Sequence, residues 1–239
     1  MEAIEIKGLS KKFGDRYALR GVNLNVRSGE ITAVLGPNAS GKTTLLKCIL
    51  GLVLPSEGEV RVNGRNIREG HDYRGDIGYM PQEPSFPENL TPRELLSLLS
   101  EVRRRDPAEN VIRLVELFGL GDFMDRPVKF LSGGTKQKVS ALIALTYEPS
   151  ILILDEPTVG LDPVASSKLK EEIVSQKEMG KAVLLTSHIM SEVEELSDRV
   201  VLLIEGHLKL ESSVRELKER TGESTLERAI AKLMEEGLD

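Results

Sequence analysis

One stretch, Gly36-Pro37-Asn38-Ala39-Ser40-Gly41-Lys42-Thr43, limits the possible folds more than any other. It fits the pattern of a glycine, four residues and Gly-Lys-Thr, a loop that wraps its backbone around phosphate. Ile31-Thr32-Ala33-Val34-Leu35 reads as a buried strand running into it, and Thr44 to Leu50 as a helix leaving it. The glycines let backbone N–H groups converge on an anion, and the helix start adds partial positive charge. In this geometry Lys42 reaches the β- and γ-phosphates of a nucleotide, and the Thr43 hydroxyl ligates Mg²⁺.

A second signal lies more than a hundred residues on. Ile151-Leu152-Ile153-Leu154 is an unbroken apolar run ending in Asp155-Glu156-Pro157. A strand apolar on both faces belongs inside a sheet covered by helices, and its carboxyl end is where such sheets bind ligands. Asp155 there can hold Mg²⁺, directly or through water. Glu156, the next residue, is expected to point the other way across the pleat and to face an attacking water. A third signal, Leu131-Ser132-Gly133-Gly134-Thr135-Lys136-Gln137, opens a helical run from Lys138 to Tyr147. A hydroxyl and two glycines at a helix start make another anion site.

Together these residues resemble the nucleotide-binding domain of ABC (ATP-binding cassette) ATPases, from about Ile4 to about Leu210. The resemblance implies an ATPase subunit of a transporter, closest in the phrase Glu156 to Pro163 and the tail Ser224 to Glu227 to export-type ATPases. It implies ATP and Mg²⁺ as nucleotide and metal. Phe13 sits where the family stacks an aromatic on adenine. Gly36, Pro37, Asn38, Ala39, Ser40, Gly41, Lys42, Thr43 and Thr44 form the phosphate cradle. Gln82, in Gly78-Tyr79-Met80-Pro81-Gln82, matches the glutamine that contacts Mg²⁺ and water beside Thr43 and Asp155. Ser132, Gly133, Gly134 and Asp162 match the signature and the D-loop, which reach a second subunit. His188, in Leu185-Thr186-Ser187-His188, matches the switch histidine at the γ-phosphate. Glu156, His188 and Lys42 are thus the implied catalytic set. The partners implied are a second copy or paired ABC subunit on ATP binding, and separate membrane permease subunits. Two residues depart from the family pattern. Ala39 replaces a third glycine, harmless at negative φ and costly at positive φ. Thr135 replaces a glutamine.

The expected architecture is α/β, with a parallel-sheet phosphate-loop core, N-terminal antiparallel strands and an inserted helical subdomain. Residues 3–35 and 57–80 read as strands, with Asn63-Gly64 a hairpin signal. Residues 83–133 read as the helical insertion. Thr91-Pro92-Arg93-Glu94 and Asp106-Pro107-Ala108-Glu109 read as helix starts, and Gly119 as a stop. Strand 151–155, a helix from Pro163 capped by Asp162 and stopped at Gly180, and strand 182–187 complete an alternating pattern. The ATPase domain is placed at 1–211 and a C-terminal helical extension at 212–239. Capping boxes are expected at Ser213…Glu216 and Ser224…Glu227. A stripe of Leu226, Ile230, Leu233 and Met234 should pack on its own domain.

Composition narrows the class. At 239 residues and net charge −6, the chain suggests no general nucleic-acid surface. Cys48 is the lone cysteine, expected to be a small buried side chain. No run approaches the ~18 apolar residues of a membrane span. Met1 to Glu5 does not read as a signal peptide. The expected place is therefore the cytoplasm, peripheral on the inner face of the cell membrane through a permease. A soluble iron–sulfur cluster assembly ATPase is the alternative that the catalytic motifs leave open. His71 and His207 carry no metal spacing. Arg103-Arg104-Arg105 reads as a solvated helix end, and Glu192 to Glu195 as surface. Phe86, in Glu83-Pro84-Ser85-Phe86-Pro87, is a candidate docking aromatic.

Overall fold

The computed structural model describes residues 1–105 and 107–236. Strands β1 (Glu2–Phe13) and β2 (Arg16–Arg27) form a hairpin; β3 (Ile31–Leu35) enters the phosphate loop and α1 (Lys42–Ile49) leaves it. A second hairpin, β4 (Glu57–Val62) and β5 (Arg65–Asn66), precedes β6 (Ile77–Met80). The helical segment follows as α2 (Pro92–Arg103), α3 (Ala108–Phe118) and α4 (Gly133–Thr146). The chain then alternates: β7 (Ile151–Asp155), α5 (Pro163–Glu178), β8 (Ala182–Thr186), α6 (Met190–Leu196), β9 (Arg199–Ile204). It closes with β10 (His207–Ser213), α7 (Val214–Thr221) and α8 (Leu226–Glu236).

Two sheets result. The antiparallel one runs β2-β1-β4-β5, and the larger runs β10-β9-β3-β8-β7-β6, parallel throughout except at β10. β3, β7 and β8 are buried along their whole length, as strands covered on both faces must be. Alternation of side chains splits them between two cores. Leu152, Leu154, Val183, Leu185, Val200 and Leu202 face the helical side, where α2 to α8 pack. Ile151, Ile153, Ala182, Leu184, Val201 and Leu203 face α1 and the antiparallel sheet.

Local signals set most element ends. Thr91 and Glu94 form a reciprocal capping box behind Pro92, and Asp162 Oδ1 accepts the Ala165 N–H at 2.9 Å to start α5. Ser213 caps α7 with Glu216 at N3, and Gly119 ends α3 at φ 63°. The helix start expected at Asp106 lies outside the described residues. The box expected at Ser224 is not the one used. Thr225 caps α8, its hydroxyl accepting from Arg228 N at 3.4 Å, because Leu226 is already helical. Leu226, Ile230 and Leu233 are buried as the stripe predicts, whereas Met234 is half-exposed on the outer edge. Cys48 is buried, and burial raises its thiol to about 11.

Two charged runs are more than surface. Arg103 donates to the Gly75 and Ile77 carbonyls at 3.0 and 3.3 Å and lies over the Tyr147 ring, while Arg105 donates to the Tyr147 carbonyl at 2.9 Å. The end of α2 packs against β6 and the end of α4, where carbonyls without helical partners need donors. Glu192, Glu194 and Glu195 each accept from another element: Thr158, Lys218 and Lys170. Their helix is wedged between α5 and the C-terminal helices instead of standing in solvent.

The helical segment is tied to the core through α3. Arg113 makes two bonds of 2.7 and 2.8 Å to Glu172 of α5, and Asn110 donates to the Leu145 and Thr146 carbonyls. Burial pushes the Glu172 carboxyl up, but Arg113, Gln176 and Lys181 outweigh it and hold it below the usual range. A carboxyl depressed by folding stabilises above its unfolded pKa, and that stability fades as pH falls toward the folded value. Arg113→Met should therefore lower stability at pH 7 by about 2 kcal/mol, or about 5 °C in Tm, the guanidinium being half-exposed. The gap to wild type should narrow in acid as Glu172 takes up a proton. Thermal melts at pH 7 and pH 4 check this, and a gap that widens in acid would contradict it.

Candidate nucleotide site

At two positions of the phosphate loop both backbone conformation and space require glycine. Gly36 sits at φ 149°, and a Cβ there would meet the Leu203 carbonyl oxygen at 2.1 Å. Gly41 sits at φ 109°, and a Cβ there would meet the Ala18 carbonyl at 2.5 Å. Ala39, the departure from the glycine pattern, is at φ 62°, the costly alternative of the two the sequence allowed. Gly41 starts α1 without a side-chain cap, so its first N–H groups face the cleft for an anion. Ser40 Oγ is buried there with no hydrogen-bond partner. Lys42 Nζ is folded onto its own loop, donating to the Gly36 and Pro37 carbonyls at 2.7 and 3.0 Å. A phosphate would draw it away, since a charge-assisted bond to an anion is stronger than one to a carbonyl.

A cleft of about 480 Å³ opens above the loop, lined by Asn38 to Thr44, Phe13, Ala18, Gln82, Asp155 and Glu156. Phe13 ends β1 at the rim with 52 % of its surface exposed, and Lys11 Nζ lies 4.9 Å from its ring centre. An exposed aromatic platform at the mouth of a phosphate cleft suits the face of a base.

The floor is made by the carboxyl ends of β7 and β8, paired so that Asp155 lies opposite Thr186. Asp155 is 3 % exposed. Its Oδ1 accepts the Thr186 hydroxyl at 2.6 Å, and its Oδ2 lies 3.4 Å from Thr43 Oγ1. A hydroxyl beside a carboxylate, both hard oxygen donors facing a phosphate cradle, is the donor set Mg²⁺ takes when nucleotide oxygens supply other positions. Among the described residues no cluster of three or more His, Cys, Asp or Glu offers a different metal site. Tyr79, next to this floor, is pushed up to about 12 by burial and by the Asp155 charge.

Glu156 is reached differently from the way the pleat suggests. The strand ends at Asp155, and Glu156 adopts a left-handed backbone, φ 52°. Its N–H is held by the Thr186 carbonyl at 3.1 Å and the Thr186 hydroxyl at 3.0 Å. The side chain is buried and engaged: Oε2 accepts the His188 backbone N–H at 3.2 Å and lies 2.7 Å from His188 Nδ1. The His188 side chain is 64 % exposed. One carboxylate oxygen therefore serves the histidine until a ligand competes for it.

Other expected residues stand apart from this cleft. Ser132 caps α4, its Oγ accepting from Thr135 N at 3.2 Å and meeting the Thr135 hydroxyl at 2.8 Å. The threonine that replaces glutamine thus shares the serine's cap. Gly134 leaves no room for a Cβ, which would meet the Gly160 carbonyl at 2.8 Å. Asp162 pairs with Lys138 Nζ of α4 at 2.8 Å, and that bond, with the Ala165 N–H, holds its carboxyl below the usual range. None of Ser132, Gly133, Gly134 or Asp162 lines the cleft of its own chain.

Sequence reasoning passed over Thr186. Its signal was a hydroxyl closing an otherwise apolar buried strand, Ala182 to Thr186. With Thr186→Val, Asp155 Oδ1 and the Glu156 N–H each lose a buried partner. ATP turnover should fall about tenfold while nucleotide affinity stays within a few-fold. Steady-state kinetics with a fluorescent-nucleotide titration check this; unchanged turnover would remove the threonine from the site.

Comparison with known proteins identifies the family and the fold. A family model described as ABC transporter matches residues 19–159. The chain is 37 % identical over 224 residues to the lantibiotic transport ATP-binding protein SrtF of Streptococcus pyogenes, covering 94 % of each chain. It is 34 % identical to the bacitracin transport ATP-binding protein BcrA of Enterococcus faecalis, over 93 % of this chain and 73 % of that one. Among solved structures, an ATP-binding subunit of an ABC transporter matches with TM-score 0.91 and 31 % identity, over 97 % and 99 % of the two chains. The cassette MJ0796, a dimer bound to ADP and Pi in a post-hydrolysis state, matches with TM-score 0.80 and 28 % identity, over 88 % and 98 %.

Proposed function

We propose that this chain, which belongs to the ABC transporter family and is an ATP-hydrolysing subunit of the export type, works as one half of a dimer closing on two ATP molecules and driving a separate permease. The observation that carries this reading is the cluster of Lys42, Thr43, Asp155, Glu156 and His188 in one place, with the Ser132 helix start facing elsewhere. A site with its cradle and base present and its second anion-binding helix turned away is completed by another copy. The dimeric state of the similar MJ0796 cassette supports that arrangement. Residues 1–211 would be the ATPase domain, 83–133 its helical insertion and 212–239 an extension.

In this reading the loop N–H groups and Lys42 hold the β- and γ-phosphates, and Phe13 takes the adenine face. Thr43, Asp155 and Gln82 would hold Mg²⁺, which supplies charge neutralisation on the phosphate oxygens when bound. Glu156 orients the attacking water and takes its proton once His188 turns from it to the γ-phosphate. Catalysis is then positioning and charge stabilisation, as phosphoryl transfer requires. The relatives named above are transport proteins, and no observation favours the iron–sulfur alternative. Glu156→Gln keeps the size and removes the proton acceptor. Turnover should drop at least a hundredfold, while ATP binding persists and an ATP-stabilised dimer appears on size exclusion. Near-normal hydrolysis would remove Glu156 as the base.

The permease is expected at the seam between the helical segment and the core. No described helix is long and apolar enough to cross a membrane. Phe86, the expected docking aromatic, is half-buried and packs against the main core, so it offers little to a partner. Val102 on α2 is 74 % exposed, and Leu52 after α1 is 59 % exposed. They line adjoining depressions of about 590 and 230 Å³ that share Arg74 and Arg103. An apolar rim with two guanidinium groups suits a short amphipathic helix of the permease on the cytoplasmic face. Val102→Asp should weaken co-purification with the permease about tenfold and leave basal ATP turnover within about twofold. Undiminished co-purification would move the docking site elsewhere.

A further inference from the structure

Helix α6 begins two residues after His188 and is seven residues long. A helix that short does not hold its own position, so its grips decide where it sits. Val193 and Leu196 anchor it to the core. Its glutamates reach a turn and three other helices. Glu192 accepts the buried Thr158 hydroxyl at 2.6 Å, in the turn that follows Glu156. Glu195 accepts Lys170 of α5 at 2.5 Å.

Glu194 reaches the C-terminal helix pair. Its Oε1 accepts Lys218 Nζ of α7 at 2.5 Å, and its Oε2 accepts the backbone N–H of Leu226, the first residue of α8, at 2.8 Å. A carboxylate at a helix start satisfies a free N–H and meets the positive end of the helix dipole. The pair is closed on itself by Lys232 Nζ, which donates to the Thr221 carbonyl at 2.7 Å. It is seated in the core by Leu217, Leu226, Ala229, Ile230 and Leu233. One carboxylate on α6 therefore fastens both C-terminal helices to the helix that leads out of the switch histidine.

We propose that the 214–236 helix pair is a positioning element for ATP turnover, and that Glu194 is the residue through which it holds His188 against Glu156. This rests on the reading of the chain as an ATPase with His188 at the γ-phosphate. The chain has three histidines, so His71 and His207 serve as internal controls for His188 in ring-resolved NMR of the full-length protein.

Glu194→Ala should lower kcat about fivefold to tenfold, less than the roughly 10–100-fold loss typical when a direct partner of a metal ligand is removed, because Glu194 acts on His188 through α6. ATP affinity should change less than about twofold. The His188 ring signal should shift or broaden while those of His71 and His207 stay in place. Glu194→Gln, which keeps an acceptor for the Leu226 N–H, should restore part of kcat. If Glu194→Ala proves too unstable to assay, Lys218→Met breaks the same bond from the extension and should give a smaller fall, about threefold, with the same His188 signature. Unchanged kcat with an unmoved His188 signal overturns the proposal. So does a fall in kcat accompanied by weakened ATP binding and shifts at all three histidines, which marks general loosening. A wild-type chain without ATP turnover, its ATP binding intact, would instead overturn the ATPase reading beneath it.

Discussion

The site depends on one short contact, the Thr186 hydroxyl on Asp155 Oδ1. Asp155 is a carboxylate at 3 % exposure, and an unpartnered charge that deep costs several kcal/mol. The contact exists because β7 and β8 pair in parallel with Asp155 opposite Thr186. Both belong to the side-chain set that faces α1, where Thr43 waits 3.4 Å from the other carboxylate oxygen. A slip of one residue in β7 would turn Asp155 to the opposite face. The apolar runs Ile151 to Leu154 and Ala182 to Leu185 fix the strands inside the sheet, and cross-strand register then puts the hydroxyl on the acid.

Backbone strain falls where phosphate chemistry is expected. Asn63 and Glu205 also have positive φ, but each precedes a glycine, Gly64 and Gly206, in a hairpin turn that demands that conformation, and Arg104 and Glu148 close the ends of α2 and α4, where a left-handed residue is common. Ala39 and Glu156 have no such excuse. Each carries a Cβ in the left-handed region, at about 1–2 kcal/mol. Glu156 is held there by two bonds from its N–H to Thr186, which offset the strain and turn its carboxylate toward His188. Strained residues persist where the surroundings over-determine them, and both here line the same cleft.

Much of this was legible in the chain. The phosphate loop, the buried strand before Asp155 and the capping residues Thr91, Asp162 and Ser213 are local signals, and local geometry obeys them. The rest depended on distance in sequence. No window of the chain shows that Thr158 meets Glu192, that Glu194 meets Leu226 N, or that Arg103 reaches the Ile77 carbonyl. Charged runs therefore read as surface, because charge is visible in sequence and its partner is not. The pleat argument for Glu156 failed for a related reason. It assumed the strand continued, and the strand stops one residue earlier, where Thr186 captures the backbone N–H. The Ser224 box gave way to Thr225 because helix starts shift by one residue when a neighbour can cap as well.

The turn from Glu156 to Asp162 then becomes the crossing point of the molecule. Its first residue carries the carboxylate that His188 shares. Thr158 is bonded to α6 through Glu192, Gly160 presses against Gly134 at the start of α4, and Asp162 pairs with Lys138 one turn further along α4. The same aspartate caps α5, whose Glu172 holds Arg113 of the helical segment. In the proposed function, a change at the γ-phosphate that draws His188 from Glu156 would act on a turn fastened to the helix capped by Ser132 and to the helical segment. No long-range wire is needed, because each step is a single bond between packed elements. Such contacts have discrete alternatives more readily than continuous deformations in a close-packed core. Under the proposed function, coupling between hydrolysis and a partner would run through these seven residues, whose own backbone is already strained at its first position.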